Sequence, residues 1–66
     1  MRTYTVLEMV RELGGKAHTT QDPNRVVLLL PGRYVRWMDG VVDRLRTTGV
    51  RWDVNPLVDS QGEVIW

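Results

Sequence analysis

The sequence contains no cysteine, no phenylalanine and only one histidine, His18. Without cysteine no disulfide can stabilise the fold and no thiolate can bind a structural zinc ion. A single histidine also excludes the common zinc sites that are built from several imidazoles. We therefore expect neither a metal nor another cofactor, and stability has to come from one small apolar core that a partner can extend.

Long apolar stretches and a strong charge of one sign are also missing. No segment approaches the roughly 18 apolar residues of a membrane span. No signal peptide precedes the first predicted helix, so we expect one domain in the cytoplasm, away from membranes. Nine basic and eight acidic residues give a net charge of +1, which argues against a dominant electrostatic attraction to nucleic acid or to an anionic membrane.

One apolar run, Val26–Leu30, is the segment around which the rest of the sequence is organised. Its length and its abrupt end at Pro31-Gly32 favour a strand buried on both faces, although periodicity alone does not exclude a helix. Gln21–Asn24, ahead of it, has the composition of a turn. Together with Lys16–Thr20 these segments predict a β-hairpin in which Lys16–Thr20 is the weaker, more exposed strand.

An amphipathic helix is predicted on each side of this hairpin. The first covers Val6–Leu13, begins at a capping box of Thr5 and Glu8, and ends at Gly14-Gly15.

The second predicted helix covers about Tyr34–Thr47 and ends before Gly49, the expected left-handed C′ residue. Gly40 lies inside this helix, where we expect it to permit a close approach to the sheet.

The last third of the sequence predicts strands. Apolar residues alternate from Val50 to Val54, and Pro56 either ends this strand or places it at a sheet edge. Leu57-Val58 and Glu63–Trp66 flank a turn-like segment and predict a terminal hairpin, with Trp66 docked. The order α-β-β-α-β-β predicts an α+β fold in which two helices pack on one face of a small antiparallel β-sheet.

Few side chains could carry out catalysis. His18 is the only conventional general base near neutral pH, and a histidine in a polar strand is usually a surface residue. Asp39 and Asp43 share a helix face and could do acid–base work or hold a metal, but Arg36 and Arg46 lie within helical reach and favour a solvated ion-pair face. We therefore expect no enzymatic activity.

Three tryptophans are many for 66 residues. Trp37, Trp52 and Trp66 either all fill the core, or at least one lies exposed where a partner binds, as tryptophan often does at interfaces.

The run Val6–Gly15, the hairpin through Val26–Leu30, and a helix ending at Val42–Arg46 together resemble the small αββα docking domains of the TubC N-terminal type. The resemblance covers roughly residues 6–49 and rests on element order and composition. It implies a domain of multienzyme synthases that captures a short partner segment by adding it to the hairpin. The turn at Gln21–Asn24 is longer than in that family, and Val50–Trp66 has no counterpart there.

Two further resemblances concern single segments. Tyr4–Gly14 is similar to the first helix of excisionase-type winged-helix DNA binders, in which a recognition helix follows at once. The helix–sheet–helix order also resembles small toxin–antitoxin RNases, which use a histidine in the sheet, and His18 would be its counterpart here.

These observations predict a non-enzymatic docking or adaptor module that binds another protein, or a second copy of itself, through a sheet edge and exposed aromatic residues. The alternative is a small nucleic-acid-binding regulator that uses basic side chains near the second helix. The predicted partner-binding residues are Lys16, His18, Thr20, Trp37, Trp52 and Trp66. The alternative uses Arg33, Arg36, Arg44 and Arg46.

Overall fold

A computed structural model describes residues 3–45 and 49–66. The elements follow the chain as α1 (Thr3–Glu12), β1 (Lys16–Thr19), β2 (Arg25–Leu30), α2 (Gly32–Leu45) and β3 (Arg51–Pro56). The strands form one sheet in the order β1-β2-β3. The predicted α+β class is confirmed, with five elements in place of six.

Strand β2 lies at the centre of the sheet, as its apolar run predicts. Leu28 and Leu30 are fully buried and belong to the core. The core also contains Val6 and Val10 from α1 and Met38 and Val42 from α2. Since both helices meet the same face of β2, its other side chains, Val27 and Leu29, point away from the core and are only partly buried. The prediction of a strand buried on both faces is therefore right for one face only.

The predicted hairpin is confirmed. β1 pairs antiparallel with β2, and Lys16 lies opposite Leu29. Asp22 organises the connecting loop, because its carboxylate accepts from the Asn24 amide at 2.9 Å and its carbonyl accepts from the Arg25 amide at 3.1 Å. The Asp22 side chain therefore bonds to nearby backbone, as expected for an aspartate in such a turn.

The prediction of a purely antiparallel sheet is wrong, because β3 runs parallel to β2. The 14 residues of α2 span about 21 Å, which is close to the length of the six-residue β2, about 20 Å. The helix thus returns the chain to the beginning of β2, and β3 then runs alongside it. Backbone hydrogen bonds from Arg51 to Asn24 and from Leu57 to Leu30 extend this pairing by one residue before β2 and by one residue after β3.

The predicted capping box is wrong, because α1 already begins at Thr3 and Thr5 lies inside it. Threonine and tyrosine cost only fractions of a kcal/mol in a helix interior. Because each residue added to an existing helix gains a backbone hydrogen bond, the helix extends through the expected cap.

The end of α1 is a Schellman motif, as the two glycines suggest. Gly14 has a φ of 83°, and its amide donates to the Arg11 carbonyl at 3.0 Å. The Gly15 amide donates to the Val10 carbonyl at 2.8 Å. These are the two bonds that define the motif.

Helix α2 begins at Gly32, two residues before the predicted start. Its predicted last residues, 46 and 47, lie outside the described residues, whereas Gly49 has the expected positive φ of 90°. The role predicted for Gly40 is wrong. Gly40 is exposed, and a Cβ built there would meet nothing within 4 Å, so it does not face the sheet.

The terminal hairpin is present in reduced form, as one antiparallel bridge between Val58 and Val64. Asp59 closes the turn by accepting from the amides of Gln61 and Glu63, each at 2.9 Å. With only one bridge, this segment does not extend the sheet by two strands as predicted.

Candidate functional site

The outer edge of β1 is the first candidate surface. In residues 3–45 and 49–66, β1 pairs with β2 alone, and all four of its side chains are exposed. Unpaired backbone N–H and C=O groups along such an edge are a template for another strand. The predicted location of the open edge, Lys16–Thr20, therefore agrees with the structure, with Thr20 just past the end of β1.

A groove of about 440 Å³ lies between α1 and β1, directly beside this edge. Apolar side chains make up most of its surface, and the charged groups that line it are all basic. We call it the edge groove, and its principal lining residues are Leu7, Arg11, Lys16, Ala17, His18 and Val26. An extended segment that added to β1 would have an apolar depression on its helix side and basic groups at the rim.

Four of these six residues, Leu7, Arg11, Ala17 and Val26, are not among the site residues predicted from the sequence. Leu7 broadens the apolar side of α1, and Arg11 lies one helical turn further on. Only the packing of α1 over β1 places them beside Lys16 and Ala17. The sequence contains one indication of this site. Leu7 makes the apolar face of α1 wider than the part that Val6 and Val10 bury in the core.

The exposed side of α2 is the second candidate surface. A groove of about 280 Å³ on this side is lined by Arg36, Trp37, Gly40, Val41 and Arg44, and we call it the α2 notch. These residues fall on one helix face because they are spaced by one, three and four positions.

Arg33 and Arg46 do not belong to the α2 notch. Arg33 is occupied elsewhere: its Nε donates to the Trp66 carbonyl at 2.7 Å, and its guanidinium lies 5.7 Å from the centre of the Tyr34 ring. Arg46 lies outside the described residues. The structure thus brings together two of the four arginines that were predicted for nucleic-acid binding.

The three tryptophans occupy different environments. Trp37 and Trp66 are exposed, with 51% and 72% of their surface accessible. Trp66 is nevertheless held through its backbone, because Gly32 donates to the neighbouring Ile65 carbonyl at 2.6 Å. Trp52 packs against the core, and its indole nitrogen is buried with no hydrogen-bond partner in the described part of the chain. The exposure of Trp37 and Trp66 is compatible with a binding surface, whereas the packing of Trp52 against the core is not.

The remaining polar candidates do not converge. His18 is exposed on β1, and Asp39 is exposed on α2. Among the described residues, no group of three or more His, Asp or Glu side chains could hold a metal ion. Within the described part of the chain, Arg25 and Asp53 form an ion pair that joins β2 to β3. The ion pair expected for Arg36 is absent from this part of the chain.

Comparison with protein-family models finds no match, and neither curated proteins nor solved structures include one that is significantly similar. The resemblance to TubC-type docking domains therefore stays a prediction. No helix within residues 3–45 and 49–66 is long and apolar enough to span a membrane.

Proposed function

We propose that this chain is a non-enzymatic docking module that binds an extended segment of another protein along the outer edge of β1. The proposal rests on one observation: the unpaired edge of β1 lies directly beside the edge groove. Main-chain hydrogen bonds to the edge would supply affinity, and the groove would accept alternate side chains of the added strand.

The small size of the domain is consistent with this role. Six side chains make up the buried core of the described residues, and an added strand would extend the sheet beside it. Small domains gain stability from such additional burial. Binding would therefore stabilise the fold as well as recruit the partner.

The charges at the edge favour a different protein over a second copy as the partner. If two β1 strands paired antiparallel with all helices on one side, the Lys16 side chains of both copies would share the opposite face. Like charges across neighbouring strands are destabilising. A partner segment that carries carboxylates on this face would not meet that repulsion.

A binding selection tests this proposal. We would select peptides from a random displayed library against the intact chain and measure their affinity by titration. We expect the selected peptides to perturb the backbone amide resonances of Lys16–Thr19. The variant Ala17→Glu, which places a longer charged side chain in the edge groove, should abolish binding. Gln61→Glu in the distant terminal turn adds the same charge and should leave binding unchanged.

Other outcomes of this experiment are equally decisive. Perturbations that map away from β1, or equal binding by Ala17→Glu and the unaltered chain, would overturn the proposal. A dimer mass in light scattering that falls to the monomer mass in Ala17→Glu would instead identify a second copy as the occupant of the edge.

A further inference from the structure

The fold does not require a glycine at position 40. Gly40 lies in the middle of α2, where glycine costs about 1 kcal/mol relative to alanine. Gly14, Gly49 and Gly62 have the positive φ values for which glycine is needed, whereas Gly40 does not. No atom of the described residues lies within 4 Å of the position a Cβ would take. Neither backbone conformation nor close packing therefore explains this glycine.

What Gly40 does create is a gap in the helix surface beside an aromatic side chain. Trp37 precedes it by three positions and Arg44 follows it by four, and Arg36 completes the rim of the α2 notch. Half of the Trp37 surface is accessible. No carboxylate of the described residues lies within 4.0 Å of Arg36 or Arg44, and no acidic side chain lines the notch.

We propose that the α2 notch binds single-stranded nucleic acid. A base would stack on the Trp37 ring over the gap left by Gly40, and the guanidinium groups of Arg36 and Arg44 would bind phosphates on either side of it. Stacking on an aromatic ring combined with basic groups along the backbone is how proteins bind single strands without sequence preference. Arginine suits this task because its planar, permanently charged group binds phosphate through two hydrogen bonds.

A single strand fits better than a duplex. The bases of a duplex are already stacked on each other, so an exposed indole gains little from them, whereas an unpaired base offers a free face. Two arginines eight residues apart on a helix lie about 12 Å apart along its axis. They can bind only a short stretch of backbone, which agrees with the net charge of +1.

This binding site does not depend on the docking role. α2 packs chiefly against β3, whereas the edge groove lies between α1 and β1. The two surfaces are thus at opposite edges of the three-stranded sheet, and each can be tested with the other left intact.

The test is fluorescence anisotropy of a fluorescein-labelled ten-nucleotide oligo(dT) titrated with the full chain at low salt. We expect Trp37→Ala to weaken binding by about 5- to 150-fold, the range that corresponds to the loss of one stacked base, and Trp37→Phe to weaken it less. Gly40→Gln should also weaken binding by filling the gap. Because glutamine is the better helix former, that variant should unfold at higher denaturant concentration, so lost binding cannot be ascribed to misfolding.

Salt dependence and a matched arginine variant complete the experiment. Two phosphate contacts predict a slope of about −1.4 in a plot of log affinity against log salt, and Arg44→Ala should reduce its magnitude by about 0.7. Arg51→Ala removes the same charge from β3 and should change neither slope nor affinity.

Four outcomes would overturn the assignment. The first two are that the chain does not bind the oligonucleotide, or that Trp37→Ala and Gly40→Gln both bind it as tightly as the unaltered chain. The other two are that the chain binds a duplex of the same length equally tightly, or that it binds a single nucleotide or polyglutamate equally tightly.

Discussion

Gly15 and Gly40 show how differently the same residue can act in one small fold. A Cβ at Gly15 would lie 2.4 Å from the Leu29 carbonyl oxygen and 2.9 Å from Val10 Cγ1. Gly15 therefore lets the end of α1 pack directly on the backbone of β2. A Cβ at Gly40, by contrast, would meet no atom of the described residues within 4 Å.

The two alanine variants should consequently shift stability in opposite directions. We expect Gly15→Ala to lower the free energy of unfolding by at least about 1–3 kcal/mol, the usual cost of overpacking. Gly40→Ala should raise it by about 0.5–1 kcal/mol, because alanine is the better helix former. Denaturant unfolding of both variants measures the difference, and a destabilised Gly40→Ala would show that this glycine has a structural role after all.

Only part of this contrast could be predicted from the sequence. A Gly-Gly pair after an amphipathic segment indicates a helix end, and Gly14 fulfils that expectation with its positive φ. The contact of Gly15 with Leu29 joins positions 14 residues apart, so it depends on how the helix packs. The prediction that Gly40 faces the sheet failed for the same reason, since spacing alone does not tell which side of α2 a glycine occupies.

At the scale of elements, β2 has two unequal faces. Leu28 is fully buried among side chains of both helices, whereas Leu29 is partly buried on the opposite face. The apolar run itself does not show this difference, because all five of its residues are hydrophobic. A continuous run predicts burial, but here the helices cover one face of the strand, and the residues on the other face are only partly buried.

Alanine substitutions at these two neighbouring positions test the register of β2. We expect Leu28→Ala to cost about 2–5 kcal/mol, as for leucines in packed cores. That is a large share of the roughly 3–10 kcal/mol expected for a domain of 66 residues. Leu29→Ala should cost clearly less. Thermal or denaturant unfolding measures both, and equal losses would contradict the assignment of Leu28 to the core face and Leu29 to the open face.

The direction of β3 was the main error at this scale. A strand, a helix and a second strand in succession are the signature of a parallel βαβ unit, and α2 has the length that this connection needs. The sequence therefore contained the signal. The antiparallel prediction instead chose the simplest way to bury all the apolar faces. In the separate terminal hairpin, the turn at Asp59–Gly62 is right, but the flanking segments pair through a single bridge.

The terminal turn should be an independently opening part of the structure. Asp59→Ala removes the acceptor for the Gln61 and Glu63 amides, which should cost about 1 kcal/mol. We expect the Gly32 amide, which donates to Ile65, to exchange its hydrogen faster in this variant. Amides in the middle of β2 should exchange at an unchanged rate, since local opening does not require global unfolding. Equal acceleration at both places would mean that the terminal turn is part of the cooperative core.

At the scale of the whole molecule, the fold separates two exposed surfaces. The edge groove combines an unpaired strand with apolar and basic side chains, and the α2 notch combines an exposed tryptophan with two arginines. The sequence could indicate the participating residue types. It could not assign them to surfaces, because Leu7 and Arg11 meet Lys16 only after α1 has packed over the hairpin.

The two proposed activities should therefore be separable by mutation. We expect Ala17→Glu to abolish binding of selected peptides and to leave the oligonucleotide affinity unchanged. Trp37→Ala should do the reverse. Parallel titrations of each variant with both probes measure this, and loss of both activities in either variant would show that the surfaces are coupled or that the substitution has disrupted the fold.

Hydrogen exchange at single amides shows whether β1 is an open edge that accepts a strand. In the free chain, consecutive amides of β2 should be protected, whereas protection along Lys16–Thr19 should alternate, because every second amide of an edge strand faces solvent. Addition of a selected peptide should protect the remaining β1 amides. Full protection of β1 in the free monomer, or no added protection on binding, would contradict the account.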